Sequence, residues 1–270
     1  AVTIACLKAL ELDEEALILV LPADHSVQNI DKFNKAIFEG IKYANSGKIV
    51  TFGVKPNSAE TGFGYIEANK ELNFDSYQAS SIKRFVEKPD KLLAEKFIKD
   101  KKFSWNSGIF LLKAKVGLDE IKKFSPDILE ICRGALNSSI YDLDFQRLNK
   151  EIFEKCENVS FDISIMEKTD VGYVLPLNIG WSDLGNWESF WKTRKKDDNG
   201  NVIDGKIITE KVKNCFFKSD KRILVGIDLE ELIVVDTADA VLVAKKKSSQ
   251  KVKDVVGEMI KQGYKEANLH

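Results

Sequence analysis

Apolar positions along the chain recur with two periods, and the switch between them lays out the elements. Residues 2–12 carry Val2, Ile4, Ala5, Leu7, Ala9 and Leu10 before the segment turns acidic, which predicts the back half of a helix. Residues 16–21 (ALILVL) form a continuous apolar run closed by Pro22, the pattern of a buried strand of parallel type. Phe33, Ala36, Ile37, Ile41 and Ala44 fall at helical spacing between Asp31 and Asn45, and Ser46-Gly47 stops that helix. Residues 48–54 (KIVTFGV) give a second strand. Helix, strand, helix, strand is the order that builds a parallel α/β sheet.

Two strand-like runs follow at 64–68 and 81–87; Pro89 breaks the chain and 91–99 returns to helical spacing. A short strand is expected at 107–112, after Trp105-Asn106. Residues 114–168 read as mostly helical, interrupted at Pro126, Gly134 and Asn137-Ser138-Ser139. Then come a strand at 173–177 and a helix at 184–193. Beyond Asp197-Asp198-Asn199-Gly200-Asn201 the helical period vanishes. Short apolar runs alternate with turns from Val202 to Ala244, predicting a small β appendage. An amphipathic helix at 250–262 closes the pattern. The expected organisation is a first domain over 1–198, a β appendage over 199–250, and a helix with linker over 251–270.

Charge changes little in this picture but removes function classes. Lys and Arg total 41 against 42 Asp and Glu, so bulk attraction to nucleic acid is not expected, and Lys245-Lys246-Lys247 reads as a solvated loop. No apolar run is long enough to span a bilayer, and the N-terminal residues lack the pattern of a signal peptide. Cys6, Cys132, Cys156 and Cys215 form no CxxC, which suits reduced thiols and a cytoplasmic setting. With His25 and His270 the only histidines, neither a His-rich zinc site nor a histidine-based triad is expected. A metal here would sit on carboxylates, which suits magnesium or manganese.

Five polar segments close apolar strands, and ligands of open α/β sheets bind at strand C-terminal ends. Leu21-Pro22-Ala23-Asp24-His25 places Asp24 where it could hold a divalent cation or cap the next helix. Glu60-Thr61-Gly62-Phe63-Gly64-Tyr65-Ile66 has paired glycines that let backbone approach a ligand, or simply make a turn. In Phe85-Val86-Glu87-Lys88-Pro89 an acid and a base are adjacent. On extended chain neighbouring side chains point apart, so each charge is expected to find another partner. Trp105-Asn106-Ser107-Gly108 sets an amide beside an apolar ring, suited to sugar hydroxyls or to a loop around a buried Trp. Gly180-Trp181-Ser182-Asp183-Leu184-Gly185-Asn186-Trp187 puts Asp183 at a helix start, either as its cap or as a second carboxylate on the cation of Asp24.

Together LPADH, ETGFGYI, FVEKPD, WNSGIF, SFDISIMEKT and GWSDLGNW, in that order, resemble the sugar-phosphate nucleotidyltransferases. Within them the set is most similar to mannose-1-phosphate guanylyltransferases, especially the bacterial bifunctional kind joined to a phosphomannose isomerase. The resemblance covers essentially the whole sequence. It implies an α/β, Rossmann-like nucleotidyltransferase sheet with helices on both faces, followed by the small β-rich appendage. It implies that mannose 1-phosphate and GTP give GDP-mannose and pyrophosphate. Asp24 and Asp183 would be the Mg2+ ligands, and Lys88 would neutralise the sugar phosphate. Glu87 would accept hydrogen bonds from mannose hydroxyls, and Asn106 with the Gly64 backbone would complete the sugar pocket. Another sugar 1-phosphate, or a non-catalytic sugar-phosphate-binding role, remains open beside that reading.

The sequence starts Ala1-Val2-Thr3, without the strand and GGxGxRLxP-type loop with which that family begins. The expectation is a chain that starts within the domain, and ends, at 264–270, in a linker toward an isomerase domain. The β appendage and final helix could form a homodimer contact or pack against further domains of a longer parent.

Overall fold

The computed structural model describes residues 1–268; His270 lies outside the described residues. The chain divides into two compact units. The first holds Ala1–Ala23 and Asn29–Trp181; the second holds Asp24–Gln28 and the chain from Ser182 onward.

The first unit is built on a six-stranded mixed sheet. From one side to the other its strands are Leu17–Val20, Phe103–Lys113, Ile49–Val54, Gly172–Leu177, Ser80–Val86 and Tyr65–Ala68. All six residues of Ile49–Val54 are buried, as a strand with neighbours on both sides and helices above and below requires. Side chains alternate across it. Ile49 joins Cys6, Leu112, Leu118 and Ile165 in a core beneath the helices Val2–Leu12, Ala114–Phe124 and Pro126–Asn137. Phe52 meets Phe33 of the opposite helix, Ile30–Asn45, whose buried stripe is Ala36, Gly40 and Ala44. Asn29 caps that helix by accepting from the Lys32 N–H at 2.9 Å.

The expected all-parallel pairing is corrected. Among the described strands of this sheet only Ile49–Val54 and Gly172–Leu177 pair in parallel; Leu17–Val20 pairs antiparallel with Phe103–Lys113, which inserts between the first two sequence strands. The ALILVL run is half-buried rather than buried, because Leu17–Val20 has one neighbour in the sheet and Leu21 is exposed. The strand expected at 107–112 runs over Phe103–Lys113 and carries Trp105-Asn106 inside it. Polar residues persist there because the neighbouring strand satisfies them: Ser107 Oγ donates to Phe52 O at 2.6 Å and Thr51 Oγ1 donates to Ile109 O at 3.2 Å.

Residues 114–168 contain less helix than expected. Gly134 does not interrupt Pro126–Asn137. A hairpin, Ile140–Asp142 with Phe145–Arg147, follows it, and Asp162–Met166 is a single π-helical turn closed by the Glu167 N–H donating to Asp162 O at 2.9 Å.

In the second unit three short strands, Val202–Asp204, Phe216–Ser219 and Leu232–Asp236, stack in parallel, and Val241–Lys245 adds antiparallel. Ile207–Glu210 and Leu224–Ile227 form a second parallel pair. The strands belong to coils. Lys211 and Asn214 have left-handed φ, and so do Asp228 and Glu231, each 17 positions later (228 − 211 and 231 − 214). Phe216 and Phe217 are both fully buried because Phe216 faces Trp187 and Phe190, while Phe217 packs with Val212 and Val234 between the sheets. The helix expected at 184–193 spans Trp187–Thr193. Asn186, not Asp183, caps it, accepting from the Ser189 N–H at 2.9 Å. Lys246 is not solvated: it is 4% exposed, with Nζ 3.3 Å from the Trp191 ring centroid and 3.2 Å from Glu231 Oε2.

Candidate functional site

One strand, Tyr65–Ala68, gathers the polar ends in the first unit. It pairs on one side with Ser80–Val86, Tyr65 opposite Val86, and on the other with Phe103–Lys113, Tyr65 opposite Trp105. Gly64, one residue earlier, is therefore brought against Glu87, one residue past the second strand, and Asn106. The Asn106 N–H donates to Gly64 O at 2.8 Å. A Cβ on Gly64 would lie 2.7 Å from Glu87 Oε2 and 3.6 Å from Asn106 Cβ, so only glycine leaves the carboxylate where it is.

Asn106 is fixed on both sides of its amide. Its Oδ1 accepts from the Gly108 N–H at 3.1 Å, with Thr51 Oγ1, whose hydrogen goes to Ile109 O, a further neighbour at 3.4 Å, and its Nδ2 donates to Asp162 Oδ1 at 2.6 Å. Asp162 sits on the π-helical turn. Burial pushes its carboxyl above the ordinary range and the negative charge of Glu87 adds to that, while the Asn106 hydrogen bond opposes both. The apolar side of the cluster is Phe63, edge-on to Trp105 at 5.1 Å and to Trp181 at 5.6 Å between centroids. Trp105 itself is 5% exposed and belongs to the core.

The expectation that Glu87 and Lys88 each find another partner is corrected. Lys88 has φ +42, which takes the chain out of the extended alternation, and its Nζ pairs with Glu87 Oε1 at 2.9 Å. Both side chains remain exposed.

Asp24 and Asp183 both belong to the second unit. The pKa of His25 is lowered by burial, against the raising effect of the negative charges of Asp24 and Asp183. Asp24 is exposed and Asp183 half-buried. With Asn186 serving as the helix cap, Asp183 is released from that task. Its Oδ1 is buried without a hydrogen-bond donor among the described residues, and Gly185 packs so closely that a Cβ there would lie 2.5 Å from Oδ2. A buried carboxylate oxygen with no donor suits an electropositive ligand. Among the described residues no group of three or more His, Cys, Asp or Glu could hold a metal. A carboxylate pair suits Mg2+, which takes one or two carboxylates together with substrate phosphates.

The sequence pattern does not point to Asp162 or Thr51 as site residues. Asp162 lies within SFDISIMEKT, but a helical pattern does not say which strand end its polar face meets.

Comparison with known proteins bears on the whole chain. The nucleotidyl transferase family matches residues 1–200, and the MannoseP isomerase/GMP-like beta-helix domain matches residues 205–259. The chain belongs to the nucleotidyl transferase family. As a nucleotidyl transferase it is 39% identical over 271 aligned residues to mannose-1-phosphate guanylyltransferase of Escherichia coli, covering 98% of this chain and 58% of that protein. It is 37% identical to the alginate biosynthesis protein AlgA of Pseudomonas aeruginosa, over 100% of this chain and 56% of the relative. The chain thus spans about half the length of the curated relatives it matches. Among solved structures, mannose-1-phosphate geranyltransferase from Thermus thermophilus, as that protein is named, aligns with TM-score 0.80 at 26% identity, over 96% of this chain and 75% of that one. Mannose-6-phosphate isomerase from Helicobacter pylori aligns with TM-score 0.59 at 34% identity, over 67% and 69% respectively. The α/β nucleotidyltransferase fold followed by a β-helical segment is common to the family matches and the coils described above.

Proposed function

We propose that this nucleotidyl transferase makes GDP-mannose and pyrophosphate from GTP and mannose 1-phosphate. The observation that carries the reading is the near-40% identity, through both matched segments, to proteins named mannose-1-phosphate guanylyltransferase. The Gly64–Glu87–Asn106 cluster supports it, since it combines hydrogen-bond acceptors and a donor of the kind a sugar requires beside an apolar side chain. An isomerase activity of a longer parent is proposed on the relatives alone, and a cytoplasmic setting on the four free cysteines.

In the proposed reaction an oxygen of the sugar phosphate attacks the α-phosphorus of GTP. The bond from that phosphorus to the bridging oxygen breaks, and pyrophosphate leaves with the electron pair. No covalent enzyme intermediate is needed, so the protein contributes positioning and charge. Glu87 accepts from sugar hydroxyls, while the Asn106 amide and Gly64 backbone complete the contact. Lys88 turns from Glu87 to the sugar phosphate. Exchanging one exposed ion pair for another costs little, because such pairs contribute about 0–1 kcal/mol. Asp24 and Asp183 are the residues that would hold Mg2+, which when bound supplies charge neutralisation of the phosphates.

The test, on the intact parent protein, is GDP-mannose formation from GTP, Mg2+ and mannose 1-phosphate, followed by chromatography. Asp183→Asn is expected to lower turnover at least about a hundredfold, the scale on which removing a transition-state charge partner acts. Turnover at the unsubstituted level would contradict the role of Asp183, and a preference for glucose 1-phosphate would redirect the sugar reading.

A further inference from the structure

We infer that Asp162 is a positioning residue of the sugar subsite, acting through the Asn106 amide; the inference rests on the sugar-phosphate reading above. An asparagine amide offers two acceptor sites on oxygen and two N–H donors, and reversing it exchanges them. In this protein the orientation is set from both ends. The Gly108 N–H claims Oδ1 at 3.1 Å, and the Asp162 carboxylate claims one N–H of Nδ2 at 2.6 Å. The second Nδ2 hydrogen is left as the donor available beside Gly64 and Glu87. Without Asp162 the amide loses its one anionic acceptor and the orientation is held only from the oxygen side.

The surroundings of Asp162 indicate a group kept for binding rather than for folding. Among the described residues no lysine or arginine forms a salt bridge with it, and its neighbour Glu87 carries the same charge. It stands on a π-helical turn, a local geometry that is rare and frequent at functional sites. Two carboxylates flanking one oriented amide donor form an acceptor-rich set, which suits a polyhydroxylated ring. Asp162 fixes the donor in that set.

A double-mutant cycle on binding tests this. Mannose 1-phosphate is titrated calorimetrically into the chain and into Asp162→Ala, Asn106→Ala, the double variant and Asp162→Asn, with thermal melting followed for each. Asp162→Ala and Asn106→Ala are each expected to weaken binding about tenfold or more, the range for a hydrogen bond to a charged group. The double variant is expected to bind within about twofold of the weaker single one, since both changes remove the same donor. Asp162→Asn keeps an oxygen to accept from Nδ2 and is expected to recover most of the loss. Binding unchanged in Asp162→Ala would overturn the inference. So would losses that multiply in the double variant, or a melting shift without a loss of affinity. An unsubstituted chain that binds no mannose 1-phosphate would overturn the sugar reading itself, and that failure shows before any variant is made.

Discussion

Gly64 is where the backbone comes closest to the proposed sugar-binding carboxylate of Glu87. The atom a Cβ would displace is the tip of Glu87, a flexible and exposed side chain, so Gly64→Ala is expected to leave the melting midpoint nearly unchanged while moving the carboxylate. Affinity for mannose 1-phosphate should fall about tenfold, equivalent to about 1.4 kcal/mol, and a titration checks it; undiminished affinity would remove Gly64 and Glu87 from the sugar subsite. Asp162 supplies a prediction of the opposite kind. Its folded-state pKa is raised, by burial first and then by Glu87. Ionised Asp162 therefore costs stability above its folded pKa, and the cost disappears as pH falls below its unfolded value. Asp162→Asn should melt higher than the unsubstituted chain at neutral pH, with the difference shrinking through the acid range. Thermal melts at several pH values check the sign. Glu87, Lys88, Asn106 and Gly64 could be picked out from sequence because each closes or interrupts an apolar run. Asp162 could not, because it is 56 positions from Asn106 and only the folded sheet brings the two together. Nor could the Glu87–Lys88 pair, since a left-handed φ at lysine leaves no trace in composition.

Elements position these residues through irregularities more than through regular structure. The register between Ile49–Val54 and Phe103–Lys113 shifts between Thr51, opposite Phe110, and Gly53, opposite Asn106, so that residues 107–109 face the single residue Phe52. A bulge of this kind re-aims a side chain at a site, and Asn106 is the side chain re-aimed. Gly53 allows the close approach: a Cβ there would collide with Ser104 Oγ and Val174 Cγ2. Gly53→Ala is expected to destabilise the first unit by about 1–3 kcal/mol, the cost of overpacking a filled core, read as a lowered denaturation midpoint. The polar Asn106-Ser107-Gly108 stretch also hid half of the strand from sequence, because its hydrogen bond to Phe52 becomes visible only across strands. At Trp187–Thr193 the cap is Asn186, which also accepts from Ser249 Oγ at 3.3 Å. Asn186→Ala should cost about 1 kcal/mol in urea unfolding. Asp183→Ala should cost less there, since that residue does not cap. The 17-residue coil offset of the second unit leaves no sequence signature because its corners are Lys211, Asn214, Asp228 and Glu231 rather than glycines.

At the scale of the whole molecule the candidate chemistry is divided. The proposed sugar-side residues Gly64, Glu87, Lys88, Asn106 and Asp162 belong to the first unit, and the carboxylates Asp24 and Asp183 to the second, which draws Asp24–Gln28 out of the earlier part of the chain. The order of strands and helices was legible because buried strands and amphipathic helices leave different periods. Sheet order was not, because no period reveals that Phe103–Lys113 inserts between Leu17–Val20 and Ile49–Val54. The division also separates two kinds of failure. A change on the sugar side should act on sugar-phosphate affinity, and a change at the carboxylate pair should act on turnover with the nucleotide and Mg2+. The most direct measurement is therefore calorimetric titration of mannose 1-phosphate into the chain and into Glu87→Gln, with melting as the control for folding. Saturable binding that weakens about tenfold in Glu87→Gln, the scale of a lost hydrogen bond to a charged group, is the expected result. Binding that is absent from the unsubstituted chain, or indifferent to Glu87→Gln, would contradict the sugar-side site.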